Sequence, residues 1–213
     1  MLGLSLPSLI TRIITLVLAF TVHEFSHALT ADRLGDDTPR LNGRLTLNPL
    51  AHLDPLGSLL LLVSGFGWAK PVPVDGYALQ RRTPAGMMLV SLAGPFSNLV
   101  LAILAAIPFR AGWIDPYAPA GRLLPSPAGF LLEFIFINLI LMIFNLLPLA
   151  PLDGDKVADY LLPPRGQQIL DRIRPYGPMI LLGLLVLGRI GGFDPMGALI
   201  SGPALRLLDL LVS

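Results

Sequence analysis

The residues able to do chemistry lie together between Thr21 and Thr30, in the stretch T-V-H-E-F-S-H-A-L-T. His23, Glu24 and His27 stand there as H-E-x-x-H. On a helix, residues four apart share a face, so His23 and His27 present two imidazole nitrogens to one point. A tetrahedral zinc ion needs this from two of its ligands. Glu24 projects about 100° away from His23, near enough to take a proton from a water beside the metal. By average residue usage the pattern arises by chance in roughly one chain of this length per few hundred. A structural His pair, hydrogen-bonded to its neighbours, is the plainer alternative. Three ionisable groups inside an apolar segment are costly, and that cost favours function.

Composition limits the remaining ligands. The 213 residues include three His and no Cys, so thiolate ligands and disulfides are excluded. A third ligand must come from Asp, Glu or His52. Charged residues make up 14% of the chain and hydrophobic ones 54%. Soluble domains carry about 25% charged residues, so a membrane protein is the leading class. The net charge of +1, with no block of like charges, gives no reason to expect nucleic acid as a partner.

The elements that must hold these groups follow from hydropathy. Spans are expected at about 9–31, 86–109 and 128–147, with a candidate C-terminal span at 176–193. The start of the chain does not read as a signal peptide: no positive charge precedes the apolar run, and no small-residue cleavage site follows it. Arg12, near one end of the first span, is expected to snorkel to the interface. His27 lies five residues before Asp32, so a metal held there would sit about 7 Å inside that face.

Between the first two spans, Pro and Gly recur and break regular helix. A small re-entrant and β-strand region is expected there, at about 44–77. In it, Trp68 to Val74 reads as an edge strand because Pro71 and Pro73 cannot donate to a ladder. Gly57 to Gly65 is too short to span and reads as re-entrant or interfacial. Asn98, inside the second span, should face protein rather than lipid.

The third span ends in N-L-L-P-L-A-P-L-D-G, Asn145 to Gly154, where the prolines and glycine break the helix. Broken backbone at membrane depth is tolerated where protein or water covers it. The segment after the first span holds six basic residues, that after the second two and that after the third four. Positive-inside then sets the Asp32 and Asp153 ends on the cytoplasmic side. Depth, side and the helix break favour Asp153 as third ligand. Asn145 is a candidate for holding the substrate backbone or an oxyanion, with helix packing as its alternative. His52 is a weaker candidate for steadying an intermediate, or else a loop hydrogen-bonder. Asp54, beside Pro55, reads as a turn former.

Taken together, H-E-F-S-H, N-P-L-A-H-L-D-P-L-G, G-W-A-K-P-V-P-V, A-G-P-F-S-N-L and N-L-L-P-L-A-P-L-D-G resemble the site-2 protease family of intramembrane metalloproteases, over about Val22 to Gly154. The resemblance implies His23, His27 and Asp153 as ligands of one zinc ion and Glu24 as acid/base. It also implies transmembrane protein substrates and a home in the cell membrane of a prokaryote. A single membrane-embedded peptidase domain over 1–213, without an accessory soluble domain, is expected; the oligomeric state is not assigned. A membrane metal transporter or metal-binding protein is the alternative from another class, but transport has no need of a general base between two ligands.

Overall fold

The structure, a computed structural model, describes residues 5–57, 60, 67–118, 124–190 and 196–213. Three helices are long and apolar enough to cross a membrane: α1 (Leu6–Arg33), and two more called α4 (Gly86–Arg110) and α5 (Pro127–Asn145) after the short α2 (Thr38–Leu41) and α3 (Gly76–Arg82). These agree with the expected spans to within a few residues. Two of them start in the same way. Ser5 accepts from the Ser8 N–H and Ser126 from the Gly129 N–H, with Pro7 and Pro127 in the first turn, where a missing N–H costs nothing.

α4 is the central helix, packing on α1 along one side and α5 along another. Lipid tails are as apolar as leucine, so close packing rather than escape from water must hold such helices together. The contact residues fit that requirement. Ala19, Ala28 and Ala31 are buried on α1, and Ala102 and Ala106 on α4. The latter join Phe109, Ile135, Leu139 and Met142 in the main apolar cluster.

Arg12 does not simply snorkel. Its Nε donates to Glu133 Oε1 at 2.5 Å, joining α1 to α5. A partner 121 residues away is invisible to hydropathy, and pairing satisfies both charges where lipid offers no solvation.

No sheet forms between α1 and α4 among the described residues. One isolated antiparallel bridge pairs Leu53 with Ala69, and Lys70 N–H donates to the His52 carbonyl at 2.7 Å. The expected edge strand is therefore an extended segment held at one end. Pro71 and Pro73 lack the N–H groups that would continue a ladder. Arg44, 3% exposed, fastens the segment by donating to the carbonyls of Ala51 and Lys70. Asp54 accepts from Gly57 N–H at 2.7 Å, the expected turn role. The run expected to be re-entrant falls largely on 58–66, which lie, apart from residue 60, outside the described residues.

Beyond α5 come α6 (Asp153–Leu161), α7 (Pro164–Ile173), α8 (Gly177–Ile190) and α9 (Gly202–Val212). α8 has 14 residues, about 21 Å of rise, against about 30 Å of hydrocarbon to cross. The rest of the candidate fourth span, 191–193, lies outside the described residues. α9 packs on α4 and α5 through Ala204, and its last turn receives the Arg110 guanidinium on the Leu210 and Leu211 carbonyls.

Candidate metal centre

Helix periodicity alone brings His23 and His27 together. Their rings sit edge to face with centroids 4.6 Å apart, and both side chains are buried. Asp153 arrives from the other end of the chain. α5 stops at Asn145, a seven-residue turn follows, and Asp153 opens α6, where the helix N-terminus favours a carboxylate. Its Oδ2 lies 3.1 Å from His23 Nε2 and 3.4 Å from His27 Nε2. One ligand atom from each residue falls within 4.8 Å of the others, a grouping that can hold a metal ion.

The hydrogen bonds behind the rings test whether a metal fits. His27 Nδ1 faces the Val90 carbonyl at 2.7 Å. A carbonyl only accepts, so Nδ1 carries the hydrogen and a neutral ring leaves Nε2 bare. His23 Nδ1 donates to Asn98 Oδ1 at 2.6 Å, with the same consequence. Two bare nitrogens then face a carboxylate, and three lone-pair donors aimed at one point repel unless a cation lies between them. Two imidazoles and a carboxylate with an open side form a donor set that suits catalytic zinc.

Gly94 supplies the space. A Cβ there would lie 2.4 Å from His27 Nε2 and 2.5 Å from His23 Nε2. The bare glycine faces both Nε2 atoms, so any side chain would crowd the space between the two rings. Sequence analysis gives Gly94 no role of its own. It likewise gave Asn98 only a protein-facing amide. The available signal was a glycine and an amide at fixed spacing inside an otherwise apolar span.

A cavity of about 1060 Å³ opens in front of the group. Glu24 and Asn145 line it, together with His23, His27 and Asp153. Its walls run from the Arg12–Glu133 pair along α1 and α5 to the extended segment at Trp68, Val72 and Val74. Asn145 Nδ2 donates to the Leu141 carbonyl at 2.9 Å, within its own helix. His52 is elsewhere. It is fully buried, its Nε2 bonds the Thr46 carbonyl at 2.7 Å, and it is not among the residues lining the cavity.

Comparison with known proteins gives relatives along most of the chain. It is 41% identical over 197 residues to "Putative zinc metalloprotease YwhC" of Bacillus subtilis, covering 91% of this chain and 85% of that one. It is 35% identical to "Putative zinc metalloprotease Rip2" of Mycolicibacterium smegmatis, covering 80% of this chain and 64% of the relative. The protein of that name from Mycobacterium tuberculosis H37Rv is 32% identical, over 83% of this chain and 67% of its own length. No family model and no solved structure matches the chain. Its identity to the Bacillus protein over most of both sequences means that the chain belongs to the zinc metalloprotease family of these bacterial relatives.

Proposed function

We propose that this chain is an intramembrane-cleaving zinc endopeptidase of the site-2 protease type. The observation that carries the reading is the meeting of His23, His27 and Asp153 on a cavity bordered by helices able to cross a membrane, with Glu24 on the same cavity. His23 and His27 would hold the ion through Nε2 and Asp153 through a carboxylate oxygen. When bound, zinc supplies a Lewis acid and makes water nucleophilic near neutral pH. Glu24 takes the proton of the attacking water and delivers it to the leaving peptide nitrogen. Asn145 steadies the substrate backbone or the developing oxyanion.

The substrate is a transmembrane segment of another protein. A peptide carbonyl in an intact helix is hydrogen-bonded and shielded, so the segment must unwind before attack. The extended stretch at 67–74 lines the same cavity, and strand addition there would satisfy the unwound backbone. The distribution of basic residues supports a cytoplasmic-side site in a cell membrane.

The test is cleavage of a transmembrane peptide by purified wild type and by Glu24→Gln. The reading expects both to bind zinc, and turnover of the variant to fall by about 10²–10⁴. Equal cutting by the two would remove Glu24 from the chemistry.

A further inference from the structure

Something must decide which ring nitrogen of His23 is left to meet an ion, and a chain of buried amides ends at that ring. Asn138 on α5 and Asn98 on α4 have no exposed surface. Asn138 Nδ2 donates to the Phe134 carbonyl of its own helix at 2.9 Å. That carbonyl can only accept, so the Asn138 amide has one orientation, with Oδ1 turned toward α4. Asn98 Nδ2 donates to this Oδ1 at 2.9 Å, which orients the second amide. Asn98 Oδ1 is left facing His23 Nδ1 at 2.6 Å and must accept from it. His23 therefore keeps a hydrogen on Nδ1, and Nε2, 3.1 Å from Asp153 Oδ2, is the nitrogen left to meet an ion. Turning one amide sets like against like in a buried site. Turning both sets the Asn138 oxygen against the Phe134 carbonyl.

We infer that Asn98 and Asn138 are positioning residues for the metal centre: the direction imposed at the Phe134 carbonyl passes through two amides, fixes a hydrogen on His23 Nδ1 and so leaves Nε2 as the nitrogen that can bind an ion. This rests on the reading of His23 as a ligand. Asn138 is the informative position because it touches neither the ring nor the ion.

The experiment uses the full chain in detergent micelles, with zinc affinity read by chelator competition. Nitrogen NMR of the zinc-loaded protein reports which imidazole nitrogen of His23 bears hydrogen and which binds the ion. Asn138→Leu removes donor and acceptor together. Asn138→Asp, protonated in this buried setting, keeps an O–H for Phe134 and a carbonyl for Asn98. The leucine variant is expected to bind zinc about tenfold more weakly and to show both His23 tautomers, with the aspartate variant restoring both readouts. A leucine variant indistinguishable from wild type in affinity and tautomer overturns the relay, as do equal losses in the leucine and aspartate variants. His23→Ala separates the two claims. If it loses zinc while Asn138→Leu does not, only the relay fails; if it binds zinc normally, the ligand reading fails as well.

Discussion

Gly94 shows how narrow the tolerances at single residues are. A methyl group built there reaches 2.4 Å from one ligand nitrogen and 2.5 Å from the other, well inside contact distance, and backbone on a packed central helix has little room to retreat. Gly94→Ala is expected to weaken zinc binding by about 100-fold or more, since it fills the position the ion needs. Chelator competition measures this, and wild-type affinity in the variant would mean that the ion lies elsewhere. His52 makes the opposite case. Its buried Nε2 serves the Thr46 carbonyl, and its Nδ1 has no hydrogen-bond partner among the described residues. His52→Ala is expected to cost about 1–3 kcal/mol of stability through the orphaned carbonyl, while zinc content stays at that of wild type. Thermal melting and metal analysis together check both halves.

Among the elements, α6 matters most because it delivers Asp153. Arg174 holds it in place: the guanidinium Nε lies 3.0 Å from both oxygens of Asp155, which is buried, and Nη1 lies 2.6 Å from Asp171. Gly154 allows the close approach of this helix to the end of α5, since a Cβ there would lie 2.3 Å from the Leu147 carbonyl oxygen. Arg174→Ala leaves Asp155 with Lys156 at 3.1 Å as a remaining partner. The expected loss is about 1.5–3 kcal/mol, seen as a lower Tm, together with weaker zinc binding because the first turn of α6 loosens. An unchanged Tm would show that α6 is held by packing alone.

The three spans were legible in the sequence because a membrane demands about 20 apolar residues in a row. Asp153 was legible because prolines end the preceding helix beside it. The Arg12–Glu133 pair and the Asn98–Asn138 contact were not, since each depends on how two helices rotate against each other. The expected edge strand reduces to an isolated bridge. Alternating residues suggested a ladder, and the prolines that allow only an edge also shortened it to one bridge.

Across the molecule, three membrane-capable helices and the sequence's basic residues make a directional claim. The proposed topology puts the α1–α4 segment and the segment after α5 on the cytoplasmic side and the α4–α5 connection outside. The absence of native Cys makes this simple to test. Tyr117→Cys, at a position 91% exposed, is expected to react with an impermeant thiol reagent on intact cells. Gln168→Cys, also exposed, should react only after the membrane is opened. The reverse pattern would invert the topology. The account as a whole depends on a distant carboxylate completing a site begun by two imidazoles. Zinc titration of the purified chain against Asp153→Ala is the most direct measurement. The prediction is one tightly held zinc per wild-type chain and a loss of affinity of at least about 100-fold in the variant; a variant that held zinc as tightly as wild type would contradict it.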